Sequence, residues 1–192
     1  GSGKSTVAGL FRTLGIPVYE SDLRAKLLMQ SNEHVRHALI ALFGTEVYTE
    51  DQELNRKWIA GQVFSNPALL KQLNEIVHPA VFQDLIDWAN EASQQKAPYL
   101  IQESALLFEE NLAKRMTAVV LVVAPEEVRI ERVVNRDQTT RSEVMNRIKN
   151  QLPDEQKIPG ADYIIYNDGE RSLIEQVMDI DRMIRALPND GT

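Results

Sequence analysis

The stretch that most constrains this chain is "GSGKST" at residues 1–6. Gly3, Lys4 and Ser5 read as the end of the pattern G-x-x-x-x-G-K-[ST], a loop that cradles phosphate. Such a loop works because successive backbone N–H groups point into one concavity at the positive end of a helix. Glycine lets the backbone approach the phosphates, the lysine bridges β- and γ-phosphates, and the Ser/Thr hydroxyl binds Mg²⁺. Read this way, Gly1, Ser2, Gly3, Lys4, Ser5 and Thr6 hold a nucleotide. The bland alternative is a flexible glycine-rich segment ahead of a helix, but that would not foretell the alternation of helices and strands downstream. The loop also demands a strand to feed it, in the middle of a sheet. About ten residues are therefore expected ahead of Gly1, and one central strand is expected to be missing from the sequence as it stands.

Residues 5–14 have helical character and stop at Gly15. "IPVYE" (16–20), "PYLIQE" (98–103) and "TAVVLVV" (117–123) have the look of short strands, and "ADYIIYNDG" (161–169) of a strand ending in an Asn-Asp-Gly turn. Helical spacing recurs over 22–43, 54–64 and 67–92, then from Pro125 with its two following glutamates, over 141–151 and over 172–187. Pro79 falls inside one of these runs and is expected to end or kink it. Trp58, Val63 and Phe64 are expected in the core. The alternation predicts an α/β fold, a parallel sheet with helices on both faces, as in the P-loop nucleoside triphosphate hydrolases and kinases. The 192 residues suit one domain. The helices of 23–92 interrupt the alternation and are expected to form an insertion that grips a second substrate.

Composition narrows the partners. The net charge of -7 argues against broad binding to nucleic acid or to an anionic membrane. No apolar run approaches the ~20 residues of a membrane helix. The chain has no cysteine, which excludes disulfides, thiolate metal sites and cysteine nucleophiles. Against the acidic background, 129–149 carries six basic residues and three acidic ones. Arg132, Arg136 and Arg141 are spaced to project from a helix and the turn after it, so 126–150 is expected to act as a lid over a nucleotide. A solvated, ion-paired helix face is the other reading, and it is the one expected for Arg129 and Arg147.

Further motifs point to one family. "LGIPVYESDLRAK" resembles the segment L-G-x-x-V-I-D-A-D of the dephospho-coenzyme A kinases. "FSNPALLKQLNEIVHPAV" is similar to their F-x-x-P and L-x-x-I-x-H-P, and "ALLFEE" to their P-L-L-F-E. "RVVNRD" with "RIKNQ", then "ADYIIYNDG" and "LIEQV", resemble the remaining motifs in the right order. The sequence departs from the pattern at Glu20 and Glu103, where aspartate is usual, at Lys26 in place of arginine, and at Ala105 in place of proline.

The resemblance implies transfer of the γ-phosphoryl of ATP, with Mg²⁺, to the ribose 3′-hydroxyl of dephospho-coenzyme A. The enzyme is expected to be cytoplasmic and monomeric, with an oligomer left open. Local sequence alone favours Asp22 as the cap of a helix starting at Leu23; the resemblance reverses this and implies that it orients the acceptor hydroxyl and takes its proton, and the two roles do not exclude each other. Glu103 could hold a water of the Mg²⁺ shell beside Ser5, or stand as a solvated strand end. Arg136 is implied to act on the phosphoryl group, and Asn167 and Gly169 to lie where the adenine binds. Arg56 and His78 are implied near the acceptor, although each reads by itself as a structural or surface residue. Two other functions stay open at this point: a P-loop kinase for a different small acceptor, and a nucleotide-binding regulatory module. No N-K-x-D guanine signature is present to favour a switch GTPase.

Overall fold

The computed structural model describes residues 1–64 and 66–188. In chain order the elements are α1 (Lys4–Thr13), β1 (Val18–Glu20), α2 (Ser21–Ser31), α3 (Glu33–Phe43), α4 (Arg56–Phe64) and α5 (Pro67–Ser93). Then follow β2 (Ile101–Glu103), β3 (Val120–Val123), α6 (Glu126–Asp137), α7 (Arg141–Lys149), α8 (Asp154–Lys157), β4 (Tyr163–Tyr166) and α9 (Leu173–Arg185). The chain divides into two compact units. One comprises Gly1–Val18 with the chain from Ala97 onward, and the other is Tyr19–Lys96.

The first unit is α/β. β3 and β4 are parallel, in a register that sets Val120 beside Tyr163 and Val123 beside Tyr166. The link from β3 to β4 runs through α6 and α7, the crossover that parallel strands require. β1 pairs with β2, and at its start the Pro17 carbonyl accepts from the Ile101 N–H at 3.0 Å. Among the described residues the strands make these two pairs, and no ladder joins one pair to the other. The core brings Val7 and Phe11 of α1 against Val122, Ile165, Val177 and Ile180. Burying each such side chain stabilises by about 1.5–3 kcal/mol.

α1 ends in a two-bond lock. The Ile16 N–H reaches the Phe11 carbonyl at 3.1 Å and the Gly15 N–H reaches the Arg12 carbonyl at 2.9 Å, with Gly15 at φ 80°. This is the Schellman arrangement, and Ile16 and Phe11 pack together in the same core cluster, the apolar contact that accompanies it. α9 carries a polar anchor into the unit. Its Asp181 is 9% exposed, accepts from the Tyr99 hydroxyl at 2.6 Å, and is gripped by Arg185 at 2.8 and 3.0 Å.

The second unit is helical. Val35, Leu39, Val47, Tyr48 and Ile59 form its core, with Trp58 edge-on to Phe43 at 6.0 Å. The run 22–43 is not one helix. Asn32 adopts an extended backbone and its side chain accepts from the Val35 N–H at 3.1 Å, so it ends α2 and caps α3. Pro79 does not end α5, which continues through it from Pro67 to Ser93. α5 packs against α2, α3 and α4, and that contact holds it helical past the missing donor. Trp58 and Val63 pack on the core as expected, but Phe64 is 74% exposed at the last position of α4, past the face that α4 buries.

Candidate phosphate-binding site

Gly3 lies at φ 98°, in the left-handed region, and a Cβ there would sit 2.1 Å from Nδ2 of Asn167. Both the backbone and the space require glycine. α1 starts directly afterwards, and its first bond runs from the Val7 N–H to the Gly3 carbonyl at 3.0 Å. The amides of Lys4, Ser5 and Thr6 precede that bond, and Gly3 has no side chain to cap them. They form a seat for an anion at the positive end of the helix.

A clasp holds this loop in place. Ser2 is buried, and its carbonyl accepts from Asn167 Nδ2 at 2.8 Å. Arg132 of α6 donates to Asn167 Oδ1 at 3.3 Å and to the Asn167 carbonyl at 3.4 Å. Asn167 is in turn fixed by its own N–H, which reaches the Val123 carbonyl at 2.8 Å just past β4. The next residue shapes the turn. Asp168 Oδ1 accepts from the N–H groups of Glu170 at 3.0 Å and Arg171 at 3.1 Å, with Gly169 at φ 90°. The Arg171 and Glu170 amides hold the Asp168 carboxyl below its usual range. The sequence places Asp168 in an Asn-Asp-Gly turn and singles out Asn167 and Gly169 for binding; the structure shows that the Asp168 carboxylate is what closes the turn. It also placed Arg132 only among the lid cations, and no local signal links it to Asn167.

Lys4 Nζ stands 3.9 Å from Oε1 of Glu103, the last residue of β2, whose side chain is largely buried. Ser5 and Thr6 are exposed in the first turn of α1, and Gly1 is exposed ahead of it. A hydroxyl and a carboxylate are hard oxygen donors of the kind Mg²⁺ takes. Mg²⁺ commonly draws only one or two protein groups and completes its shell with phosphates and water. Among the described residues no group of three or more His, Cys, Asp or Glu could hold a metal unaided. A serine hydroxyl and a carboxylate fit a magnesium ion whose other ligands are phosphate and water.

The arginines of α6 and α7 are all paired. Arg136, 68% exposed, donates from Nε to the adjacent Asp137 at 2.7 Å, and Arg147 reaches the same carboxylate at 3.0 Å. These two guanidinium groups, Arg136 foremost, hold the Asp137 carboxyl below its ordinary range. Arg141 forms a two-pronged pair with Glu127 at 2.7 and 2.8 Å. Arg129 departs from the solvated reading: it is drawn in against Asp154 at the start of α8, at 3.3 Å, with its side chain 20% exposed.

The remaining expected residues belong to the helical unit. Asp22 is exposed in the first turn of α2. The helix begins at Ser21 with Glu20 at the cap position, so Asp22 is not the cap of a helix starting at Leu23. An acid in the first turn still favours the helix through its dipole. Arg56 is the first residue of α4 and is exposed. His78, also exposed, borders a shallow groove of about 580 Å³ along α5, with Leu70, Lys71, Asn74 and Glu75.

A glycine-bound loop that opens a helix beside the ends of parallel strands is the construction of the P-loop kinases. The relatives of the chain carry the assignment further. The sequence profile described as dephospho-CoA kinase matches residues 1–172, and the chain belongs to that family. It is 36% identical over 180 residues to the dephospho-CoA kinase of Bacteroides fragilis strain YCH46, covering 94% of this chain and 86% of that one. It is 42% identical over 170 residues to that of Salinibacter ruber, covering 88% and 85%. A crystal structure of a Thermus thermophilus protein superposes with a TM-score of 0.83 at 36% identity, over 95% of this chain and 91% of that one. Dephospho-CoA kinase from Campylobacter jejuni shares the fold, with a TM-score of 0.68 at 21% identity over 95% and 92% of the two chains.

Proposed function

We propose that the protein transfers the γ-phosphoryl group of ATP to the ribose 3′-hydroxyl of dephospho-CoA, giving CoA and ADP. The observation that carries this reading is the phosphate seat at the head of α1, with Lys4 facing Glu103, in a chain that matches the family over residues 1–172. Phosphoryl transfer asks a protein for position and charge more than for covalent help. The loop of Gly1, Ser2 and Gly3 and the amides of Lys4, Ser5 and Thr6 hold the donor phosphates, and Lys4 bridges β and γ. Ser5 and Glu103 would hold Mg²⁺, which when bound neutralises charge on the phosphate oxygens. The turn of Asn167 and Gly169, fastened to the phosphate loop, receives the adenine.

Asp22 orients the acceptor hydroxyl and accepts its proton. Arg56 and His78 contact the acceptor, and 23–92 serves as the acceptor-binding insertion within a single kinase domain. Arg136, on a lid of 126–150, spreads its donors over the transferring phosphoryl oxygens. The working form proposed is a monomer in the cytoplasm, in keeping with a cysteine-free composition. Among the described residues no helix is long and apolar enough to cross a membrane. An ADP-release assay with and without dephospho-CoA tests the proposal. Release that rises with the acceptor in a one-to-one ratio with CoA formed is the expected result. Equal rates with and without it refute the transfer, and faster release with another small acceptor reassigns the substrate.

A further inference from the structure

Asp84, on α5, binds both sides of the short segment that carries Asp22. Three residues before Asp22, the hydroxyl of Tyr19 donates to Asp84 Oδ2 at 2.7 Å and lies 3.1 Å from the Val81 carbonyl. The Tyr19 side chain is 1% exposed and its ring tilts against Trp88 at 5.4 Å. Two residues after Asp22, Arg24 donates from Nε to Asp84 Oδ2 at 2.7 Å, and its Nη2 reaches Oδ1. One carboxylate thus takes bonds from two residues that bracket Asp22 and lie 60 and 65 positions away in sequence. Burial and the bond to Asp84 push the Tyr19 hydroxyl far above its ordinary range, so it stays a donor. Arg24 foremost holds the Asp84 carboxyl low, so it stays an acceptor.

Packing α2 on α5 does not require this arrangement. Apolar residues of similar size would often hold two helices as well, without desolvating an ion pair. What a two-pronged pair adds is fixed geometry: a guanidinium fork meets a carboxylate in one plane and at one register. Here that register is imposed on one turn of chain whose exposed acid is Asp22.

We propose that Asp84 is a positioning residue for phosphoryl transfer, acting through Tyr19 and Arg24 to hold Asp22 in its working geometry. The inference rests on the reading of Asp22 as the group that orients the acceptor. A misplacement of about 1 Å can lower a rate about 10²-fold, so such a clamp is consequential without touching substrate.

The test is a two-by-two cycle of Asp84→Asn and Asp22→Asn, with kcat, the KM for ATP and a melting curve for each protein. Asp84→Asn alone is expected to lower kcat by about 10-fold or more with the KM for ATP unchanged. Placed on Asp22→Asn, it is expected to lower kcat no further, because residues acting as one unit do not add. Two losses that multiply overturn the proposal, as does wild-type kcat in folded Asp84→Asn. Wild-type kcat in Asp22→Asn sinks the reading of Asp22 itself; a loss in Asp84→Asn beside it would show Asp84 serving some other group, which also overturns the clamp. If Asp84→Asn does not fold, Tyr19→Phe keeps the ring packing, removes one of the bonds, and takes its place in the same cycle.

Discussion

Single residues set the limits on the phosphate loop. At Gly3 a side chain meets both an unfavourable backbone region and the amide of Asn167. Gly3→Ala is expected to open the clasp between Asn167 and Ser2 and to weaken nucleotide binding by about 10-fold or more, the scale of one or two lost hydrogen bonds. Calorimetric titration with a non-hydrolysable ATP analogue reads this, and unchanged affinity would remove the clasp from the binding account. Asp22 offers a sharper contrast. Asparagine keeps its size but cannot take a proton. As the acceptor-orienting base, Asp22→Asn loses about 10²–10⁴-fold in turnover while nucleotide binding stays constant. As a first-turn acid alone it changes stability by a few tenths of a kcal/mol, to about 1 at most, and leaves turnover intact. Steady-state turnover beside a melting curve separates the two, and near wild-type turnover sends the search for the base to Glu20 or Glu103.

Elements explain why some of this was legible in sequence and some was not. α1 could be read because its limits are local: glycine before it, the Gly15 lock after it, and Val7 and Phe11 four apart on the buried face. The break between α2 and α3 was hidden because Asn32 is an ordinary residue until its side chain turns to cap Val35. At Pro79, where local rules expect an end or a kink, the helix does not end, because tertiary contact carries α5 through it. The clasp on Asn167 and the bonds of Asp84 join residues far apart, and neither periodicity nor motif spacing carries such pairings. α6 and α7 carry the prediction at this scale. Apart from Arg132, which donates to Asn167, their arginines rest in ion pairs, and among the described residues the partner of Arg136 is its exposed neighbour Asp137, an interaction of low strength in water. In the proposed mechanism this leaves Arg136 available to a developing phosphoryl charge. Arg136→Ala is expected to lower kcat more than it raises the KM for either substrate, and a normal kcat would return Arg136 to the surface.

The whole molecule carries its charges as a response to acid. Burial raises the Asp181 carboxyl, but Arg185 and then Tyr99 more than reverse it, and the group titrates below its ordinary range. Glu109 behaves alike, with burial outweighed by Lys157 at 2.9 Å. Asp84 is also low. As pH falls, the unfolded chain takes up these protons before the folded one does. The stabilisation they give is therefore full above their unfolded values of about 4 and is lost as pH falls through the lower folded values. The melting temperature is expected to drop below about pH 5. Asp181→Asn should start lower at neutral pH and fall less steeply in acid. Parallel curves for the two proteins would contradict that assignment.

The bond from Asn167 to Ser2 closes a span of 165 residues. A chain growing on the ribosome carries its glycine loop early, but the residue that fastens the loop emerges only after β4 has been made. At about 5–20 residues per second, the interval is roughly 10–30 s. Through that time the nascent chain has a phosphate motif without the fastened site. In the proposed mechanism nucleotide binding at this loop is thus a late-acquired property, and ATP would favour the chain that has closed the clasp over one that has not.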